Sequence, residues 1–338
     1  MGPHASDETF LEIEGYAEIS LSSATQSRTS IGSEQTDFAR ISAIIPTKNR
    51  PGDLCLTIRT LLEQILVPFE VVIVDQSEDE RSRQATDEEF VQARKNGNTL
   101  PELQYIHDPK IRGVSAARNC GMEHAHGTIW LFLDDDVLLE PDFTKELVRV
   151  YSSHGHVDGV SGLITNYAPM PLLYRSWLRV FARGPFREKR LPLYWKAARL
   201  QDDTLFPVIG FTGALMSFRA DVARKGSFDT RVRDGEDVDF CLSLGKGKSF
   251  VVAPKARLKH MRSPAGRVKE SWVGKFAASQ SFLYHKHWRH GLKNRVCYGW
   301  LVLGLVVAGG MSAVRQLSLG PLMDGLRGLR AGKETAYY

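Results

Sequence analysis

Three consecutive aspartates, Asp134 to Asp136, follow a run of apolar residues. Adjacent carboxylates repel one another, so such a cluster is costly unless it is solvated or shared with a cation. Alternate residues of an extended segment point the same way, and Asp134 and Asp136 can therefore face one ligand. Mg²⁺ and Mn²⁺ bind carboxylate oxygens and usually keep water or substrate phosphates as further ligands. The triplet favours a metal and phosphate site; the alternative is an acidic turn in which Asp136 caps a helix.

A second acidic cluster, the sequence GEDVD at 235–239, begins with a glycine and lies at the start of a predicted helix. The N-terminus of a helix favours the ionised form of a carboxylate. A carboxylate that reaches the proton of a hydroxyl group can act as a general base. The cluster therefore indicates a candidate base, and ordinary N-capping of the helix by Asp234 or Asp237 is the alternative.

Two basic positions offer further contacts. In the segment RGVSAARN at 112–119, Ser115 and the N–H groups of the helix start can bind an anion, and Arg118 can pair with a carboxylate or a phosphate. Taken alone, this segment favours a capped amphipathic helix with Arg118 in solvent. His260 follows the last predicted strand, where it is either a structural or solvated side chain or a metal ligand.

The elements that position these residues alternate along the chain. Apolar runs predict strands at 41–45, 69–74, 103–106 and 128–133, and helical spacing predicts helices at 53–66, 84–95, 114–126 and 141–152. This alternation indicates βαβ units and a mostly parallel sheet, in which ligands lie beyond the carboxyl ends of the strands. After residue 159, the pattern predicts a strand with a turn at 207–219, a helix within 228–245 and a last strand at 249–253.

Composition limits the class of protein. The 338 residues are 43% hydrophobic and 25% charged, which excludes a collagenous, fully disordered or coiled-coil protein. The four cysteines are widely spaced and show no metal-ligand spacing, so we expect a reducing compartment. No secretory signal peptide is expected. Residues 1–38 carry seven acids against one base and are predicted to be a flexible acidic leader.

The C-terminal part of the chain is basic and then apolar. Residues 255–295 carry eleven Lys and Arg against one acid, and 171–199 carry eight against one. Residues 296–314 are uncharged, at the lower end of the length that crosses a bilayer. Lys, Arg, Trp and Tyr before this run suit a membrane interface. We expect membrane association, either in the plane of the membrane or spanning it; a buried core helix with a solvated basic helix is the alternative.

Four motifs together resemble the family 2 glycosyltransferases, which adopt the GT-A fold. They are SAIIPTKNRP at 42–51, EVVIVDQSED at 70–79, RGVSAARNCGMEHAHGTIWLFLDDDV at 112–137 and GEDVDF at 235–240. The resemblance covers about 41–260 and implies an α/β GT-A fold with a mostly parallel nucleotide-binding sheet flanked by helices. The expected organisation is the leader, a glycosyltransferase domain at 39–265 and a C-terminal extension of basic amphipathic and hydrophobic helices at 266–338.

The resemblance also implies a site for an inverting single displacement, in which a nucleotide sugar binds at the sheet edge with Mn²⁺ or Mg²⁺. The positions that match nucleotide-sugar contacts are Pro46, Thr47, Arg50, Asp75, Gly113, Arg118, Asn119, Asp134, Asp135, Gly213 and Glu236. Asp134, Asp136 and His260 match metal contacts, and Asp237 matches the catalytic base.

The implied function is sugar transfer to a glycan acceptor, expected to be lipid-linked, in cell-surface polysaccharide synthesis at the cytoplasmic face of the membrane. Nucleic acid is not an expected partner. One alternative is a sugar-phosphate nucleotidyltransferase, which expects a GxGxR loop where this chain has PTKNRPGD. The other alternative is a non-catalytic basic protein that binds lipid or nucleic acid.

Overall fold

A computed structural model describes residues 39–167, 171–182, 203–232, 234–263 and 272–337. The predicted leader at 1–38 lies outside the described residues, as does much of the basic segment at 171–199. The predicted boundary between 265 and 266 lies outside them too. The division of the chain into three segments therefore stays a prediction.

The strands of the described residues are β1 (Ile41–Thr47), β2 (Glu70–Asp75), β3 (Glu102–His107), β4 (Ile129–Leu133), β5 (Val137–Leu139), β6 (Gly159–Ile164), β7 (Phe206–Val208), β8 (Leu215–Arg219) and β9 (Phe250–His260). The α-helices are α1 (Pro51–Leu62), α2 (Arg81–Lys95), α3 (Val114–His124), α4 (Phe143–Ser153), α5 (Leu172–Trp177), α6 (Ala220–Ala223), α7 (Glu236–Ser243), α8 (Trp272–Leu283), α9 (Leu292–Gln316) and α10 (Gly320–Tyr337). Single π-helical turns extend α5 to Ala182 and α8 to Trp288.

The described strands form one sheet in the order β3-β2-β1-β4-β8-β6-β9-β5, and β7 pairs with β9. Strands β1, β2, β3, β4, β6 and β9 run in the same direction, and β5, β7 and β8 run against them. The predicted α/β class, with a mostly parallel sheet flanked by helices, is confirmed. The parallel half contains the strands that the sequence predicted first.

Both faces of the sheet are covered. This burial explains why the sequence of β1 is a continuous apolar run. Ala43 and Ile45 contribute to the core on one face, whereas Ile44 contributes to the core on the other. A strand buried on both faces has no polar side to alternate with. Pro51 opens α1, where its fixed φ and missing N–H are tolerated.

Several elements differ from their predicted bounds. β5 and β6 were not predicted. β5 has only three residues, and β6 is a run that contains glycine, so neither shows a clear apolar pattern in the sequence. The strand predicted at 249–253 continues to His260, with Lys255 exposed between the buried Pro254 and Ala256. The alternation continues to Leu258, which is buried beside the exposed Lys259. This is the period-2 alternation of a half-buried strand, which the high charge of the segment concealed.

The C-terminal part of the chain forms the predicted basic and hydrophobic helices, α8 and α9. It also forms α10, which the sequence analysis did not predict. The buried residues Val273, Ala277, Leu301 and Leu305 give these helices a small core of their own. Four glycines, at 320, 325, 328 and 332, weaken the helical signal of α10 in the sequence.

Candidate active site

The acidic triplet after β4 does not behave as three equivalent carboxylates. Asp135 is 4% exposed and points into the protein. There it accepts hydrogen bonds from Thr47 Oγ1 at 2.7 Å and from Arg50 Nη1 at 3.1 Å. Burial raises the pKa of Asp135 to about 6. Asp135 therefore fixes the end of β4 to the loop after β1 instead of facing a ligand.

Asp134 and Asp136 lie on the other side of the same segment and meet His260. One possible ligand atom from each of the three residues lies within 4.8 Å of the other two. His260 Nε2 is 3.0 Å from Asp136 Oδ1 and 3.9 Å from Asp134 Oδ2. The sheet makes this meeting possible, because Val137 at the start of β5 pairs with His260 at the end of β9. The three residues predicted as metal contacts thus form one cluster.

The local charges suit a cation. Burial opposes ionisation of Asp136, but the adjacent His260 and the backbone N–H of Ser263 outweigh it and hold the pKa of Asp136 below its ordinary value. An ionised carboxylate, a second carboxylate and an imidazole form a donor set that a divalent ion such as Mn²⁺ accepts, and the oxygen atoms also suit Mg²⁺. The described residues therefore fit a divalent metal ion.

His260 is oriented by residues that the sequence analysis did not single out. Its backbone N–H donates to Asn166 Oδ1, and its carbonyl oxygen accepts from Asn166 Nδ2, both at 2.9 Å. The hydroxyl of Tyr167 lies 3.4 Å from Nδ1 of the ring. A contact at the second ring nitrogen orients the first nitrogen of a metal-binding histidine. No local signal in the sequence pairs residues that are 94 positions apart.

Arg118 connects the two acidic clusters. It is 1% exposed, so the solvated side chain that the segment favours on its own is wrong. Nη2 donates to Asp134 Oδ1 at 3.1 Å and to the carbonyl of Gly213 at 2.8 Å, and Nη1 donates to Glu236 Oε1 at 3.0 Å. A planar guanidinium can hold several acceptors in fixed geometry, which a lysine cannot. Arg118 thus sets the position of α7 relative to β4.

Asp237 lies in the first turn of α7. Its carboxylate accepts hydrogen bonds from the backbone N–H groups of Gly213 and, at 2.7 Å, of Val238. Burial raises the pKa of Asp237 above its ordinary value, and the negative charge of Glu236 adds to the increase. Gly235 precedes the helix with φ at 94°, where a side chain would also collide with Ser279 of α8. A carboxylate whose pKa is raised in this way can accept a proton near neutral pH.

Asp239, the last carboxylate of the second cluster, is fully buried. Lys286 Nζ and His287 Nε2 contact its two oxygens at 2.8 and 2.7 Å. Lys286 also pairs with Asp229 at 2.9 Å. These two basic residues belong to the stretch that the sequence analysis assigned to a membrane interface, and in the structure they anchor α7 to the end of α8.

The other predicted nucleotide contacts lie at the carboxyl ends of β1 and β2, directly before α3 or within α3. Thr47 pairs with Asp75 across β1 and β2, next to Pro46. Both carboxylate oxygens of Asp75 accept protein hydrogen bonds, one from Tyr105 Oη at 2.7 Å and one from the N–H of Ser77 at 2.9 Å.

Two further predicted contacts belong to α3. Gly113 is the residue before the helix. The side-chain amide of Asn119 exchanges two hydrogen bonds of 2.8 Å with the backbone of Phe228. This amide therefore holds α3 against the segment that leads to α7.

The chain is similar in sequence to known proteins. The family model described as "Glycosyl transferase family 2" matches residues 42–223. The uncharacterized glycosyltransferase YwdF of Bacillus subtilis is 24% identical over 254 residues, which are 75% of this chain and 85% of YwdF. A glucosyl-dolichyl phosphate glucuronosyltransferase of Haloferax volcanii is 25% identical over 219 residues, 60% of this chain and 63% of that protein.

One solved structure shows the same fold. The mannosyltransferase PcManGT from Pyrobaculum calidifontis, in complex with GDP-Man and Mn²⁺, superposes with a TM-score of 0.56 at 18% sequence identity. The match covers 90% of this chain and 88% of PcManGT. The fold likeness extends beyond the region that the family model matches and includes part of the C-terminal helices.

Proposed function

Because the chain belongs to glycosyl transferase family 2, we propose that it moves a sugar from a nucleotide-diphospho sugar to a hydroxyl of a lipid-linked glycan, with Mn²⁺ or Mg²⁺ and with inversion at C1. Family membership establishes glycosyl transfer; the metal, the acceptor and the stereochemistry are the proposal. The observation that carries it is the meeting of Asp134, Asp136 and His260 within 4.8 Å, joined through Arg118 to the helix that bears Asp237.

The metal end of the site consists of Asp134, Asp136 and His260, which would hold the ion. When bound, a divalent ion stabilises the negative charge that develops on a departing nucleoside diphosphate. The protein keeps these ligands in place from two sides. Arg118 donates to Asp134, and the backbone N–H of Ser263 donates to Asp136 at 2.8 Å.

The base end of the site is Asp237. The acceptor hydroxyl gives its proton to this carboxylate while its oxygen forms a bond to C1 and the bond from C1 to the diphosphate oxygen breaks. Electrons and protons balance, because the leaving group departs as a nucleoside diphosphate and the proton stays on Asp237. The raised pKa of Asp237, caused mainly by burial, favours proton uptake at this position. A single displacement needs no second carboxylate as nucleophile, unlike a retaining hydrolase.

The proposed acceptor rests on chemistry at the C-terminal end of the chain. Helix α9 is long and apolar enough to cross a membrane from Leu292 to Val314, with a mean hydropathy of 1.8. Basic residues before it suit an anionic lipid surface or a diphosphate. The Haloferax relative is named for a dolichyl phosphate substrate. These features support action on a lipid-linked glycan. We further propose that the reaction takes place at the cytoplasmic face of the cell membrane, in cell-surface polysaccharide synthesis.

The family match supports glycosyl transfer over the two alternatives considered from the sequence, a nucleotidyltransferase and a non-catalytic basic protein. A panel of UDP, GDP and dTDP sugars, assayed for nucleotide release with a membrane lipid extract as acceptor, tests the proposal. We expect one donor to be consumed, with Mn²⁺ or Mg²⁺ required and with EDTA abolishing release. Release that persists in EDTA would refute metal dependence, and release that is independent of the lipid extract would refute the lipid-linked acceptor.

A further inference from the structure

We infer that α9 lies in the plane of an anionic lipid bilayer and binds it side-on, through an apolar stripe on one face, instead of crossing it. The stripe consists of Val296, Leu303, Val307, Met311 and Val314. This inference rests on the proposed membrane location and adds the contact surface and the orientation of the helix.

The stripe is continuous and exposed. Its five residues are spaced by seven, four, four and three positions, so they lie on one face of the helix. They are 40–77% exposed. At 1.5 Å per residue the stripe runs for about 27 Å along the helix axis. Exposed apolar surface of this extent is typical of a contact with a protein or a membrane.

The opposite face of α9 is packed against protein. Cys297, Leu301, Leu305 and Ala308 are buried there. The indole N–H of Trp177 donates to the carbonyl of Gly304 at 2.8 Å. A helix with one packed face and one apolar exposed face suits contact with a bilayer along its side.

The packing also opposes a spanning orientation. Gly304 lies halfway along α9, and a Cβ there would lie 2.4 Å from Cβ of Phe181, so the two backbones are very close. If α9 crossed the bilayer, the segment from Leu172 to Ala182 would be carried to its centre. Arg175 and Arg179 belong to that segment, and charged side chains at the bilayer centre are costly.

The charge of the surrounding segments is complementary to an anionic membrane. The sequence contains neither Asp nor Glu in 171–182 or in 289–319. Basic residues at the start of α9 include Arg289, Lys293 and Arg295, all exposed. Lys and Arg near a surface of anionic lipid headgroups strengthen the attachment of an apolar helix face. The occupant that fits both the stripe and its basic margin is a lipid surface.

Vesicle flotation of the full chain tests the inference. We expect the protein to float with vesicles of phosphatidylcholine and phosphatidylglycerol, to float less with phosphatidylcholine alone, and to be released by alkaline carbonate. The variant Leu303→Glu/Val307→Glu/Met311→Glu should lower the partition coefficient by about tenfold or more. Met311→Glu alone, at the most exposed of these three positions, should lower the partition coefficient by a smaller factor. This single variant tests the inference if the triple variant does not fold.

A matched control carries the same three added charges elsewhere. Leu56, Ile65 and Val91 are exposed apolar residues of the nucleotide-binding half, and replacing them with Glu should leave flotation unchanged. Absence of flotation, resistance to carbonate extraction, or equal flotation of the stripe and control variants would overturn the inference. Flotation needs no turnover, so a chain that floats but transfers no sugar refutes the proposed function alone. A chain that transfers sugar to a lipid acceptor dispersed in detergent, but does not float with vesicles, refutes the inference alone.

Discussion

The two acidic clusters of this site use similar residues for opposite purposes. Asp134 and Asp136 after β4 face the imidazole of His260, whereas Asp237 at the start of α7 accepts hydrogen bonds from two backbone N–H groups. The pKa of Asp136 is held below its ordinary value, where burial is outweighed by the adjacent His260. The pKa of Asp237 is raised by burial and by the charge of Glu236.

The contrast shows how neighbours decide what a carboxylate does. At the first cluster, positive and hydrogen-bonding groups keep a negative charge ready for a cation. At the second, burial and a like charge make the carboxylate ready to take a proton. In each cluster one carboxylate has a structural role. Asp135 is held by Thr47 and Arg50, and Asp239 is held by Lys286 and His287.

The largest expected effect is on the second cluster. Asp237→Asn should reduce turnover by about 10³-fold or more, because the side chain can no longer accept the proton. Asn can still accept one of the two backbone hydrogen bonds, so we expect a stability loss of only about 1 kcal/mol. Steady-state nucleotide release measures the turnover, and calorimetric titration should show unchanged Mn²⁺ affinity. Near-normal turnover would break the comparison, since the base would then be another residue.

Asp136→Asn is the converse variant. It removes an ionised ligand and should weaken Mn²⁺ binding by about 100-fold. Because Asp237 is intact, a large excess of Mn²⁺ should restore much of the turnover, as it cannot for Asp237→Asn. The two variants are controls for one another. If excess Mn²⁺ rescues both variants or neither, the two clusters do not have separate roles in metal binding and proton acceptance.

Arg118→Lys tests the connection between the clusters. A lysine ammonium cannot contact Asp134, Glu236 and the carbonyl of Gly213 in the geometry of a guanidinium. We expect kcat to fall by about tenfold, with a lower melting temperature and weaker Mn²⁺ binding, since both ends of the site lose their common support. Arg59→Lys, at an exposed ion pair with Glu89, is the matched control and should leave kcat unchanged. Unchanged kcat in Arg118→Lys would mean that the clusters are positioned independently.

The sequence predicted the parts of this arrangement that depend on local pattern. Apolar runs and helical spacing are local properties, and they identified β1 to β4 and the helices between them. The acidic triplet and the Gly-Glu-Asp segment stood out for the same reason, because unusual residue types are adjacent in the chain. The order of the four motifs then supplied the fold.

Contacts between distant positions could not be predicted in this way. Arg118 contacts Glu236 across 118 positions, so its burial depends on how α3 packs against α7 and not on its neighbours in sequence. The middle aspartate of the triplet provides a second example, because its direction depends on Thr47, 88 positions away. The sequence analysis assigned Lys286 to a stretch at a membrane interface, but the fold places it over Asp239.

The smallest expected effect, and the sharpest test of the comparison, is a shift in the pH profile. As the proposed base, Asp237 would act only when it is deprotonated, so kcat/KM should rise with pH through its pKa. The charge of Glu236 raises that pKa, and Glu236→Gln should therefore move the acid limb of the profile to lower pH, by about half a pH unit. Nucleotide release measured across the acid range gives the acid limb directly.

The control variant is Glu88→Gln, at an exposed position of α2, which should leave the acid limb at the same pH. If the limb stays fixed or moves upward in Glu236→Gln, the titrating base is not Asp237. Asp239 could not replace it, because Lys286 and His287 cover both of its oxygens. Glu236 could not replace it either, because the active variant would lack that carboxylate, so the base would then lie outside this cluster.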